Sequence, residues 1–159
     1  MFLPLITTVS SLLLLAVLGS FSSAESNPVP GSQVAREVTI MPTGKKVSVR
    51  YWQFVPADYD GKKKFPLMLF LHGSGERGHN LELVKKWGPP SMVMDRPDFP
   101  FVLISPQCPE DSRWNVDELY HLMGHVSGSI KVDQQRLYVT GLSMGGSGSW
   151  HMMDRYPDL

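Results

Sequence analysis

Leu137-Tyr138-Val139-Thr140-Gly141-Leu142-Ser143-Met144-Gly145-Gly146 is the stretch on which the reading of this chain turns. Apolar and β-branched residues lead into it, as in a strand. The residues beyond it can form a helix to about Tyr156, where Pro157 ends it. Between the two stands a serine with glycine two positions to either side. Glycine at both places suits a turn so sharp that a side chain would collide across it. An ordinary glycine-rich turn is the plain alternative, and the surrounding chain argues against it.

Upstream, Pro66–Leu71 (Pro-Leu-Met-Leu-Phe-Leu) and Phe101–Ser105 are continuous apolar runs, expected of strands covered on both faces. Arg36–Met41 and Val47–Val55 read as antiparallel strands joined by the turn Pro42-Thr43-Gly44. Leu81–Trp87 predicts a short helix ended by Gly88-Pro89-Pro90. Asp117–Ile130 predicts a longer one, with Leu119, Met123, Val126 and Ile130 near helical spacing. Gly124 and Gly128 each weaken it by about 1 kcal/mol relative to Ala. Strands alternating with helices imply an α/β fold, with a mostly parallel sheet and right-handed crossovers. The interval from His72 to Ser143 holds about two βαβ repeats of roughly 30 residues. In such a sheet, chemistry collects beyond the carboxyl ends of the strands. His72-Gly73, the loop Pro106–Asn115 and Ser143 all fall there.

The chain has 159 residues, enough for one domain, and its first 24 resemble an export signal. Leu12–Leu18 is an unbroken apolar run, and Ser22-Ser23-Ala24 supplies small residues for cleavage after Ala24. That run is shorter than the roughly 20 residues that span a bilayer. No Lys or Arg precedes Arg36, so an uncleaved anchor is the competing reading. Residues 25–35, rich in Pro, Ser and Gly, are expected as a flexible leader, and 36–159 as the folded domain. The expected location is secreted or periplasmic, with no stable membrane association once the signal is cleaved. Fifteen basic and fifteen acidic residues leave no net charge to draw nucleic acid. Lys62-Lys63-Lys64 reads as a solvated turn. Cys108 is the sole cysteine, so no intrachain disulfide forms, and a buried or free thiol is expected. Oligomeric state is not legible.

A serine hydroxyl attacks a carbonyl only when a base takes its proton and donors hold the resulting oxyanion. The turn meets the second need: it exposes Ser143 and directs the Met144 backbone N–H at the reacting carbonyl. A second N–H is expected from the loop after Pro66–Leu71, namely that of Ser74, with Gly73 and Gly75 allowing close approach. Losing one such donor typically costs about 3 kcal/mol in the transition state. A phosphate-binding loop does not fit, because Gly141–Gly148 lacks the Lys-Ser/Thr ending and any Gly-x-Gly-x-x-Gly register. His121 and His125 share a helix face but have no third metal ligand, so no metal and no cofactor are expected. His72 reads as a loop-structuring residue, and His151 as too displaced to act as base. Asp154 and Asp158 read as surface carboxylates, and Glu76 with Arg77 as a solvent-exposed pair. Trp114 and Asn115 are candidates for the substrate cleft; an indole capping the core is the equal alternative.

Three segments, Pro66–Gly78, Ser105-Pro-Gln-Cys-Pro109 with Trp114, and Leu137–Gly146, together resemble the α/β-hydrolase superfamily. More narrowly they resemble its predicted-peptidase, phospholipase/carboxylesterase and polyhydroxybutyrate-depolymerase-like esterases. The resemblance covers about Val47 to Leu159. It implies a nucleophile elbow at Ser143, oxyanion donors at Ser74 and Met144, and an acyl-enzyme route for carboxylic esters, with peptides the nearest alternative. It also implies an Asp and then a His following the serine, on loops after later strands. The chain stops before either, so the resemblance further implies a C-terminally truncated hydrolase, inactive alone. A short non-catalytic binding module built on half of the fold is the other reading.

Overall fold

A computed structural model of the chain describes residues 27–159. The expected signal at 1–24 lies outside the described residues. Gln33–Ile40 (β1) and Val47–Phe54 (β2) pair antiparallel, from Gln33 opposite Phe54 to Ile40 opposite Val47. Phe65–Leu71 (β3), Val102–Pro106 (β4) and Val132–Gly141 (β5) complete a five-stranded sheet of order β1-β2-β4-β3-β5. β4 lies antiparallel to β2, while β3 runs parallel to both β4 and β5. β3 therefore sits between two parallel strands that follow it in sequence. Its chain leaves toward β4, and the return crosses to its other side as β5. The carboxyl ends of β3 and β5 thus flank a point where the winding reverses, the usual position of a site in an open α/β sheet.

The period-2 alternation of the inner strands decides which side chains meet which layer. Leu67, Leu69 and Leu71 of β3, with Val102 and Ile104 of β4, face Leu119, Leu122, Met123 and Val126 of the helix Val116–Ser129 (α2). Met152 of the helix Met144–Arg155 (α3) joins the same layer. Phe54, Met68, Phe70 and Leu103 point the other way, onto Val93 and Phe99. Each fully buried Leu contributes about 2 kcal/mol by leaving water, and truncating Leu69 to Ala would cost about 3 kcal/mol. Tyr156 joins the end of α3 to α2: its ring stacks on Tyr120 at 4.1 Å and its hydroxyl donates to Asp117 Oδ1 at 2.6 Å.

Several boundaries differ from the sequence reading, each for a local reason. β1 starts at Gln33 rather than Arg36, because Gln33–Ala35 pair with Trp52–Phe54 and Gly31 N–H bonds Val55 O. The last residues of the expected leader are therefore part of the sheet. Leu81–Lys86 is a 3₁₀ helix. Gly88 does not simply end it: with φ +67° it turns the chain, and Pro89 and Pro90 then open a short helix, Pro89–Met92 (α1). Proline suits that first turn, where its missing N–H would have found no partner anyway. β5 begins at Val132, but its register jumps between Val132 and Leu137, so the intervening residues bulge out, closed by an Arg136–Asp133 ion pair at 2.7 Å. Regular pairing resumes at Leu137. From there, among the described residues, one edge of β5 is open and Tyr138 and Leu142 are exposed.

Candidate functional site

Ser143 has φ +53° and ψ −113°, a backbone conformation that costs a non-glycine residue on the order of 1–3 kcal/mol. The surrounding contacts enforce it. Leu142 N–H bonds Leu71 O at 3.0 Å, which holds the turn against the end of β3, and Gly145 N–H returns to Leu142 O at 2.8 Å. A Cβ on Gly145 would run into the Leu71 carbonyl oxygen, and one on Gly141 into the Gly145 peptide. Both glycines are therefore required by contact, as the spacing of the motif implies. The Ser143 side chain is exposed, and Met144 is the first residue of α3, so its N–H has no partner within the helix. The positive end of the α3 dipole points at the same place.

The loop after β3 lies directly beside this turn. β3 ends at Leu71, and after His72-Gly73 the chain forms a 3₁₀ turn, Ser74–Glu76. A Cβ built on Gly73 would sit 3.7 Å from Ser143 Cβ and 3.5 Å from Leu142 O. The loop is thus packed on the elbow, with Ser74 and Gly75 exposed at the rim. Among the described residues no acceptor takes the Ser74 N–H.

His72 explains how that loop is held. It is 2% exposed; its Nε2 accepts the Cys108 backbone N–H at 3.0 Å, which leaves the ring proton on Nδ1 to donate to Gly73 O at 2.6 Å. Burial is the main influence on the ring and pushes its pKa below the ordinary histidine value, partly offset by the Gly73 carbonyl. His72 is thus a neutral strut between the two rim loops. Gln107 adds a second strut, donating to Glu76 O and Asn80 O, and Gly78 N–H bonds Cys108 O. Sequence inspection missed Gln107, whose role depends on a tertiary neighbour. Arg77 donates through Nε to Ser74 O and through Nη1 to Ser112 O. The expected Glu76–Arg77 surface pair does not form, and Glu76 is buried.

Trp114 takes the core-capping alternative. Its Nε1 donates to His72 O, its ring meets the imidazole edge-on at 4.7 Å, and a Cβ on Gly148 would touch it at 2.8 Å. Asn115 is engaged elsewhere too: its Oδ1 accepts the Asp117 and Glu118 N–H groups as the cap of α2. Cys108 is free and buried, its thiol raised in pKa chiefly by that burial. His121 spends Nδ1 on Asp117 O, and among the described residues no three-ligand cluster suits a metal. His151, Asp154 and Asp158 are exposed. Among the described residues, nothing hydrogen-bonds the Ser143 hydroxyl.

No protein-family model and no curated protein matches this sequence. Solved structures do. A thermostable esterase is 28% identical over 79% of this chain and 38% of its own, with a TM-score of 0.62. A ferulic acid esterase from the anaerobic fungus Anaeromyces mucronatus is 17% identical over 80% of this chain and 56% of its own, with a TM-score of 0.57. A bacterial heroin esterase is 17% identical over 84% and 42%, with a TM-score of 0.57. The chain therefore spans between 38% and 56% of the length of these three structures. It carries part of the α/β-hydrolase fold, and its structural neighbours are esterases.

Proposed function

We propose that this chain is the nucleophile-bearing part of an exported serine esterase of the predicted-peptidase and carboxylesterase-like group, with peptides as the nearest alternative substrate. The observation that carries this is Ser143 at φ +53°, exposed, with the Gly73 loop packed on it. In the proposed reaction Ser143 Oγ attacks the ester carbonyl as its proton passes to a base. The Met144 and Ser74 N–H groups hold the oxyanion, the alcohol leaves, and water then releases the acid from Ser143. The reaction requires no cofactor. Neither His72, whose ring nitrogens are both committed to backbone, nor exposed His151 is bonded to the serine. The base is therefore proposed to lie outside these 159 residues, which alone are expected to be nearly inactive.

Labelling with a neutral fluorophosphonate tests this, with Ser143→Ala as control. An oxyanion site without its base keeps a small part of its catalytic advantage. The expected result is slow labelling at Ser143 that climbs steadily with pH and vanishes in the alanine variant. Labelling no faster than in Ser143→Ala would support the non-catalytic binding module instead. Rates equal to those of an intact esterase, with a titration near neutrality, would show that the chain holds its own base.

A further inference from the structure

The loop packed on the Ser143 turn is rich in glycine, so its shape must be imposed by contacts rather than by its own side chains. Three consecutive carbonyls in it accept side-chain N–H groups. Trp114 Nε1 donates to His72 O at 3.2 Å, His72 Nδ1 to Gly73 O at 2.6 Å, and Arg77 Nε to Ser74 O at 3.0 Å. The first two donors are uncharged rings, and the third is a half-buried guanidinium. Arg77 also reaches across the rim, where its Nη1 donates to Ser112 O at 3.1 Å. Ser112 belongs to a tight turn of its own: its N–H bonds Pro109 O, and Asp111 stands at φ +55°. Among the described residues Arg77 forms no ion pair. Its fork is committed to backbone in both rim loops, and a charged donor binds a carbonyl roughly twice as strongly as a neutral one.

Each peptide is a rigid plane, and two planes meet at every Cα. At Ser74 both planes are anchored. His72 holds the plane before it through Gly73 O, and Arg77 holds the plane after it through Ser74 O. The direction of the Ser74 N–H follows from those two anchors. Packing adds little there, because Ser74 and Gly75 are exposed and a Cβ on Gly75 would meet nothing within 4 Å. We infer that Arg77 is a positioning residue, which aims the Ser74 N–H at the oxyanion formed on attack by Ser143. The inference rests on Ser143 being the nucleophile and Ser74 N–H an oxyanion donor. Arg77 itself touches no reacting atom and acts through the backbone it holds.

The test uses the chain as it is, with two phosphonofluoridate probes that differ only in P=O against P=S. In each, the Ser143 Oγ–phosphorus bond forms, fluoride leaves, and the hydroxyl proton goes to solvent. Sulfur is a weak hydrogen-bond acceptor, so well-aimed donors accelerate the oxo probe more than the thio probe. In Arg77→Ala the oxo rate is expected to fall about 10-fold and the thio rate by less than about 3-fold. Guanidinium ion at about 20 mM is expected to raise the oxo rate of that variant at least about 3-fold, and sodium at the same concentration is not. Arg77→Lys, whose compact ammonium cannot fork between two carbonyls, is expected to keep the lowered oxo-to-thio ratio. It reads the same ratio if the alanine variant does not fold. Oxo and thio rates that fall by one common factor would overturn the inference and mark Arg77 as a support of the fold. Unchanged rates in both variants would overturn it as well. Labelling of the unaltered chain no faster than of Ser143→Ala would remove the esterase reading, and this inference with it.

Discussion

Gly145 and Gly75 belong to the same site, and the structure assigns them opposite tolerances. A Cβ on Gly145 collides with the Leu71 carbonyl, whereas one on Gly75 meets nothing within 4 Å. Gly145→Ala is expected to lower the unfolding free energy by about 3 kcal/mol or more, since backbone rather than a movable side chain must give way. Gly75→Ala is expected to change it by less than about 1 kcal/mol. Urea unfolding of the two variants checks both. The contrast also marks what could be read from the chain. The glycines of the elbow follow from local steric rules, so the motif alone reveals them. The burial of Glu76 and the partners of Arg77 depend on loops brought together across the sheet rim, and no short-range pattern encodes that. Asn115 could have been found: an Asn three residues before a Glu at the start of an apolar-periodic run is a helix-cap signal.

The loops after β3 and β4 act as one unit because His72 spans them. Its folded-state pKa is depressed by burial, so the unfolded chain binds the proton more readily than the folded one. Stability from this group is present above the unfolded value, about 6.5, and is lost as pH falls toward the folded value. The urea midpoint is accordingly expected to drop as pH falls below about 6.5. In His72→Gln, whose amide oxygen can still accept the Cys108 N–H, the drop in that window should flatten. The carboxylates of Asp60 and Asp133 are held below the usual range by backbone N–H donors and by Arg136 respectively. Their contribution disappears at lower pH, below about 4, so the two windows separate. The strands were legible as elements because apolar runs and alternation are local. The start of β1 was not, because Gln33–Ala35 are set by pairing with β2 rather than by their own composition.

At the scale of the whole molecule, the layered core is ordinary and the open edge is not. Tyr138 and Met153 line an apolar groove of about 410 Å³ between β5 and α3, and Trp150 is 72% exposed on the same helix. An unpaired strand edge beside exposed apolar side chains favours self-association. Thr140→Lys places a charge on that edge at an already exposed position. It is expected to raise the monomer fraction in sedimentation velocity at micromolar concentration, with little loss of thermal stability. The export expectation has a direct check as well: protein recovered from the growth medium or periplasm should begin at Glu25. The fold class was legible from the order of the elements. The position of β5 at an edge depends on what pairs with it, and one strand's sequence does not reveal that.

Cys108 lies behind the imidazole that ties the two rim loops, 1% exposed, with its own N–H on that ring. Because a thiol reagent cannot reach the sulfur while the strut is closed, the rate of thiol modification becomes a clock for breathing of the two rim loops. In this molecule a single native thiol therefore times how often the loop beside Ser143 comes away, with no introduced probe.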